Sequence, residues 1–371
     1  MIRIGVIGCG GRAKSVVNRL VATGGDNVKI VAVADPSDEA IASIPQEWGT
    51  YERCSDGEAL SMRDDVDVVM IFTPNAFHKQ YIVAAMRNGK KVFSEKPLAT
   101  TIDDCREIMK TQEETGCKLM TGLVLRYSPL YRKIKELLSS GRFGEIISIS
   151  ASENREASGG GNSMSSTAGW RRFTEIGGPY ILEKCSHDID LFNWFVGEAP
   201  SRVCGFGGLD YFVPKNQGLW DEFGHDTFAA HVPLEKRINP FTSDKNIHDN
   251  HACVFEYPSG AKVLFQLTLA SAIPERRMYI VCTRGTIIAE QFDGTLTYKC
   301  YDDSIKTTLK FMGGAHGGGD AIMARELLDA LCNGGDTSNI SGAKNCFDCA
   351  MAAIAADEAM RLNKYIDVPK G

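Results

Sequence analysis

Ile2-Arg3-Ile4-Gly5-Val6-Ile7 runs without a break into Gly8-Cys9-Gly10-Gly11-Arg12-Ala13, and a helical pattern follows through about Ala22. A short apolar strand, a tight glycine turn and a helix start are the context in which G-x-G-x-x-A binds a dinucleotide. Bare backbone at Gly8, Gly10 and Gly11 lets a pyrophosphate approach the helix N-terminus. A second strand, Val28 to Ala34, ends in Asp35. An acid there hydrogen-bonds the adenosine ribose hydroxyls and repels a 2′-phosphate, so NAD is favoured over NADP. Arg12 softens that preference, because a nearby arginine can accommodate the phosphate.

Strand and helix keep alternating. Val66 to Phe72 reads as a buried strand delivering Thr73-Pro74-Asn75, with His78 at the start of a helix that closes at Gly89. His78 reads either as a site residue or as a cap on nearby backbone. Strand Lys91 to Ser94 then delivers Glu95-Lys96-Pro97. The proline keeps Lys96 out of helical backbone, which presents the lysine from a strand end, where open α/β sheets place their ligands. A helix through Thr115 and a strand from Lys118 to Leu125 complete a six-stranded, doubly wound parallel sheet over residues 1–125.

Composition frames this reading. With 371 residues, 43% apolar, 24% charged and a net charge of −6, the chain is an ordinary globular one of about two domains. The charge argues against nucleic-acid or membrane partners, and the direct entry into a strand predicts a cytoplasmic protein. The 12 cysteines are scattered and expected to be reduced. Neither Cys346 with Cys349 nor His248 with His251 has further ligands nearby in sequence, so no metal is expected.

The glycine turn, Thr73-Pro74-Asn75 with His78, Glu95-Lys96-Pro97, Arg126-Tyr127-Ser128-Pro129 and Trp170-Arg171 together resemble, in order and over essentially the whole chain, the Gfo/Idh/MocA oxidoreductases. The resemblance implies an N-terminal Rossmann domain and, over 126–371, an α+β domain with a large open, mostly antiparallel sheet. That sheet's exposed face would make a homodimer or homotetramer. The resemblance also puts Thr73, Asn75, His78, Glu95, Trp170 and Arg171 with Gly8, Gly10, Gly11, Arg12, Asp35 and Lys96 among the cofactor-binding residues. Many relatives carry an asparagine where this chain has Val124, two residues before Arg126, which leaves Arg126 and Tyr127 as weaker substrate candidates.

Strand-like segments at Ile146 to Ser152, Arg202 to Phe206, Ala252 to Tyr257, Lys262 to Leu269, Met278 to Cys282 and Thr286 to Glu290 support such a sheet, with Pro258-Ser259-Gly260 as a hairpin turn. Gly159 to Ser163 reads as a flexible loop able to act as a lid, and Asp210 to Asn250 as a long irregular insertion. His316 and Asp320 flank a glycine run before a helix through Leu331. Either could reach the cleft, although helix capping by Asp320 is the simpler account.

Between them lies the helix Pro179 to Val196. Its buried stripe is Ile181, Cys185, Ile189, Phe192 and Val196; Glu183, Lys184, His187, Asp190 and Trp194 fall opposite, where a solvated face is the ordinary expectation. His187 with Glu183 one turn earlier also suits a base with a carboxylate that orients it or grips substrate. In the resembling family an aspartate precedes a histidine on this helix by four residues, which implies His187 as general base and Glu183 and Lys184 as substrate contacts.

Oxidising a secondary alcohol sends hydride to the nicotinamide and the hydroxyl proton to a base, a task that suits a histidine, ordinarily titrating at about 6.5. Lys96 would stabilise the developing charge on the oxygen. The catalytic set is thus Lys96, His187 and Glu183, converging on the nicotinamide, with a sugar, glycoside or cyclitol as substrate. Two alternatives stay open: a glycoside hydrolase or lyase that uses NAD without net redox change, and a non-catalytic NAD-binding sensor.

Overall fold

The computed structural model describes residues 1–166, 169–314, 316–332 and 341–370. The chain forms two compact units, Met1–Ser128 with Gly318–Ala350, and Pro129–Gly317 with Met351–Lys370. In the first, β1 (Ile2–Ile7), α1 (Gly11–Gly24), β2 (Val28–Ala34), α2 (Asp38–Ala42), β3 (Glu52–Arg53), α3 (Gly57–Ser61), β4 (Val68–Ile71), α4 (His78–Arg87), β5 (Lys91–Ser94), α5 (Ile102–Thr115) and β6 (Leu119–Thr121) alternate.

Their strands form one parallel sheet in the order β3-β2-β1-β4-β5-β6, the doubly wound arrangement expected. Chain order reverses between β1 and β4, and such a switch point opens a crevice at the carboxyl ends of the strands. Gly8 sets how closely those ends approach. Its φ is +85°, and a Cβ there would lie 2.8 Å from the Phe72 carbonyl carbon and 2.9 Å from the Thr73 nitrogen. Only glycine fits such a position. The last strand is shorter than the sequence suggests: β6 stops at Thr121, and Val124–Tyr127 form a 3₁₀ turn.

The chain continues through α6 (Pro129–Ser139), β7 (Ile146–Glu156), α7 (Ala157–Met164), α8 (Thr174–Gly177), α9 (Tyr180–Val196), β8 (Arg202–Gly208), α10 (Leu219–Glu222) and α11 (Asp226–Ala229). Strands β9 (Asn250–Glu256), β10 (Lys262–Ser271), β11 (Glu275–Cys282), β12 (Gly285–Glu290), β13 (Thr295–Cys300) and β14 (Thr307–Lys310) follow, then α12 (Gly319–Cys332), α13 (Ala343–Leu362) and β15 (Ile366–Asp367). In the second unit the strands form a nine-stranded sheet, β14-β13-β12-β11-β7-β10-β9-β8-β15, antiparallel at every pairing but β7 with β10. Pro258 to Gly260 make the expected hairpin, with Gly260 at φ +90°.

Period-2 alternation buries one face of this sheet. His251, Cys253 and Phe255 of β9 point inward, while Phe206, Leu264 and Ile147 leave the other face apolar and open, Phe206 at 74% exposure. A shallow depression of about 640 Å³ runs across that face.

One expectation fails here and one is filled in. Gly159 to Ser163 are helical, in α7, because their glycines serve close packing: a Cβ on Gly160 would lie 2.0 Å from the Leu269 carbonyl oxygen, and one on Gly161 would lie 2.2 Å from that of Phe228. The Asp210 to Asn250 segment carries two short helices and its own aromatic core. The Phe212 and Phe241 rings lie 5.4 Å apart, and Phe228 and Phe241 5.1 Å apart. The Asp249 carboxylate closes the base of the segment by accepting the N–H groups of Asp210, Tyr211 and Phe212. Gly160→Ala should therefore destabilise the chain by about 1–3 kcal/mol through overpacking. Gly159→Ala, whose Cβ would meet only the flexible Arg155 side chain, should cost less, and urea unfolding of both variants checks the order.

Candidate active site

The strand ends of the first unit fit NAD on structural grounds. A Cβ built at Gly10 or Gly11 meets nothing within 4 Å among the described residues, so the backbone at the start of α1 is open to a pyrophosphate. Beside it, the Asp35 carboxylate at the end of β2 accepts the Cys9 N–H at 2.7 Å and the Ser37 N–H at 2.8 Å, which fixes its orientation. At the end of β4 the Thr73 hydroxyl is buried and has no hydrogen-bond partner among the described residues. A buried polar atom of that kind costs stability unless a ligand or water satisfies it.

Arg12 donates through Nε to Glu95 at 2.5 Å and through Nη1 to Asp320 at 2.6 Å. Its guanidinium is spent on two carboxylates of its own unit and is not held out for a 2′-phosphate, which reinforces NAD. Asp320, the second residue of α12, pairs with Arg12 where a helix cap was the simpler expectation. Gly122 makes room for the Glu95 carboxylate, since a Cβ there would lie 2.6 Å from it.

His78 is 1% exposed, its ring nitrogens 2.7 Å from the Pro97 carbonyl oxygen and 3.0 Å from that of Thr73. Burial lowers its pKa against the pull of those carbonyls. The ring thus braces the two turns that carry Thr73, Asn75, Glu95 and Lys96. Asn75 and Glu95 are buried, and Lys96 is half-buried.

In the second unit α9 is buried nearly all round, so the expected solvated face does not exist. Glu183, His187, Asp188 and Asp190 are all buried, Asp190 at 1% exposure. The reason is packing on several sides, with Phe192 against Phe265 of β10 and Lys135 of α6 donating to the Trp194 carbonyl. Glu183 is held by Arg171, whose Nε lies 2.7 Å from Oε1 and whose guanidinium lies 4.2 Å over the Trp170 ring. Trp170 and Arg171 line a 260 Å³ cavity that Ser163 and His231 also border. His316 packs edge-on against His187, ring centroids 5.9 Å apart.

Residues 2–123 match the family model described as "Oxidoreductase family, NAD-binding Rossmann fold", and residues 131–288 match the "GFO/IDH/MocA C-terminal domain". The chain belongs to the GFO/IDH/MocA oxidoreductase family. Its first unit is the family's NAD-binding Rossmann unit, and the resemblance read from the motifs is borne out. Among similar proteins, 2,7-anhydro-N-acetylneuraminate hydratase of Escherichia coli (strain K12) is 30% identical over 288 residues, which cover 77% of this chain and 67% of that protein. Inositol 2-dehydrogenase of Ralstonia nicotianae is 29% identical over 199 residues, 53% of this chain and 55% of that protein. The solved structure of levoglucosan dehydrogenase with NADH and levoglucosan superposes with a TM-score of 0.81 at 20% identity over 100% of both chains, a likeness of fold. The chain spans little more than half the length of several curated relatives it matches.

Some family-site candidates are engaged inside the protein. Tyr127 is 1% exposed in the first unit's core, its hydroxyl is hydrogen-bonded to Ser341, and burial pushes its pKa up to about 12. Arg126 is buried in the 3₁₀ turn. Lys184 lies 3.3 Å from Glu153 of β7. Glu153 is 0% exposed and belongs to a cluster that sequence reasoning missed: Arg276 of β11 makes a bidentate pair with Asp188 at 2.6 and 2.9 Å and lies 3.7 Å from Glu153. Signals for it were present. Asp188 falls three residues after Cys185 in the apolar stripe, and Glu153 and Arg276 are in phase with inward Ala151 and Met278.

Burial alone would raise the Glu153 carboxyl, but Arg276, Lys184 and Arg155 together outweigh it and hold it down to about 2. At Asp188 burial prevails over the pull of Arg276, with Glu153 adding to it, and the pKa rises to about 6. Glu153, Cys185 and Asp188 could gather a metal ion by spacing, but Arg276 and Lys184 already supply their countercharge. Elsewhere, burial pushes His251 down to about 3, with His248 adding to it, and the Cys349 thiol donates to the Cys346 carbonyl.

Arg276→Met should cost about 3–5 kcal/mol, the penalty for leaving a buried charge uncompensated. In the wild type the depressed Glu153 pKa contributes stability above the ordinary carboxylate range, lost as pH falls toward 2. Without the arginine both carboxyls should titrate higher than in the unfolded chain, so the variant should regain stability as pH drops from 7 to 5; urea unfolding across that range checks the sign. Asp35→Ser should weaken NAD about tenfold or more, by loss of a charged hydrogen bond, while improving NADP, as read by fluorescence titration with both nucleotides.

Proposed function

We propose that this chain oxidises a secondary hydroxyl of a sugar, glycoside or cyclitol with NAD as acceptor. The observation that carries the reading is the buried histidine of α9 beside a carboxylate pinned by arginine, His187 with Glu183 and Arg171, in a chain that also carries an NAD-binding unit. A dehydrogenase of CH–OH groups needs a base for the hydroxyl proton, a cation for the oxygen and polar grips for neighbouring hydroxyls. His187 takes the proton, Lys96 holds the oxygen as negative charge grows on it, and Glu183 accepts hydrogen bonds from the adjoining hydroxyls. Bound at the turn Gly8 to Ala13, NAD supplies the hydride acceptor.

A second reading keeps the same residues. The resemblance to a 2,7-anhydro-N-acetylneuraminate hydratase, a redox-neutral activity by its name, supports a reaction in which oxidation is transient and NAD is regenerated. Product without accumulation of NADH would favour it; NADH appearing in proportion to product would favour the dehydrogenase. The apolar open face of the nine-stranded sheet supports self-association through that face into a dimer or tetramer. Faces of this kind are seldom left to water.

Lys96→Met should lower turnover by about 10²–10³, the usual cost of removing a donor to a developing oxyanion. His187→Asn should lower it by about 10²–10⁴. Initial rates of NADH formation with purified protein and a panel of polyols check both, and unchanged turnover in either variant would overturn the assignment.

A further inference from the structure

His316 is a residue of the second unit that the proposed base does not account for. Its ring meets that of His187 edge-on, centroids 5.9 Å apart and planes at 63°. His187 is 5% exposed, whereas His316 is only half-buried, so His316 forms the accessible side of the pair.

The loop that holds it is shaped, although its glycines read as slack. Gly314 sits at φ +96° and Gly317 at φ +51°, backbone that other residues rarely adopt. A Cβ at Gly313 would lie 2.1 Å from the Phe292 carbonyl oxygen. Gln291, 0% exposed, donates to the Gly314 carbonyl at 2.7 Å and accepts from the Tyr131 hydroxyl at 3.2 Å, and the Gly317 N–H closes a turn on Gly314. A chain of contacts from α6 through the end of β12 thus fixes where the imidazole stands, as a group used for recognition needs.

We infer that His316 is a specificity-determining residue: its ring N–H donates to the hydroxyl on the carbon next to the one oxidised, while His187 serves the reacting hydroxyl. The inference rests on the dehydrogenase reading and narrows its substrate to ring polyols with two adjacent free hydroxyls. Two imidazoles in contact approach neighbouring oxygens from two directions, and each supplies one donor when neutral.

The other charged groups around His187 are Glu183 with Arg171, Lys184 with Glu153, Asp188 with Arg276, and Asp190. Asp188, whose pKa burial raises to about 6, is the next residue along α9, so charge near His187 is not set by His316 alone.

His316→Asn is the test variant, made in the full chain loaded with NAD. First, the ring signals of His187 and His316 are assigned by NMR, and the contact between them is read as a nuclear Overhauser effect. The expected result is a cross-peak between the two rings in the wild type and its loss in the variant; its absence in the wild type overturns the pairing.

Second, KM and kcat are measured with myo-inositol, levoglucosan and their monodeoxy analogues. The variant should raise KM about tenfold with kcat nearly unchanged, the loss of one well-formed hydrogen bond, and should no longer discriminate against the analogue lacking the neighbouring hydroxyl. An unchanged KM and unchanged discrimination overturn the specificity role. A wild type that oxidises none of these compounds would instead sink the dehydrogenase reading, while the NMR contact would still decide the pairing.

Discussion

The orientation of the helix that carries His187 depends on two carboxylates and a guanidinium kept out of water. Arg276 enters from β11, Glu153 from β7 and Asp188 from α9, so one cluster joins the sheet to the helix that carries His187. Charges so deep are tolerated only with close partners, and their geometry leaves little choice of register. A one-residue slip of β11 would turn Arg276 to the open face and strand both acids. The cluster therefore fixes the rotation of α9, and with it the side on which Glu183 and His187 emerge.

The first unit uses the same device nearer the surface. Arg12 opens α1, Glu95 follows β5 and Asp320 opens α12, and the three meet in one pair of ion bridges. The glycine turn needs bare backbone for a pyrophosphate, and this network keeps the turn in place without a side chain pointing into it. Burial of His78 between the Thr73 and Pro97 carbonyls serves the neighbouring turns in the same way.

Much of this was legible in the sequence because local patterns dictate it. The strand, glycine turn and helix at residues 2–22, the alternating strands, and the histidine one turn after Glu183 are read from short windows whose physics is local. What escaped reading was set by distant partners. The glycines at 159–161 suggested slack, yet they are small because Leu269 and Phe228 lie against them. Asp190 suggested solvent because a helix has a far side, but α9 is packed on several sides. Asp188, Glu153 and Arg276 obey inward periodicity, and charge at inward positions was the sign that a buried cluster would assemble. His316 could be suspected from its glycine run, although its contact with His187 depends on a loop pinned by Gln291.

The core of the first unit has a consequence for how the chain is made. Met323, Ala324, Leu327, Ala330 and Leu331 of α12 pack with Val16, Val17 and Leu20 of α1 in one apolar cluster. During synthesis from the N-terminus, the nucleotide-binding sheet emerges first, but its outer layer lacks a helix until residues beyond 318 are translated. The nascent unit must wait with an apolar groove open through the synthesis of nearly two hundred residues, at ordinary elongation rates about ten seconds or more. The first helix is thus covered late, and for that interval a holding chaperone would find its binding surface on α1.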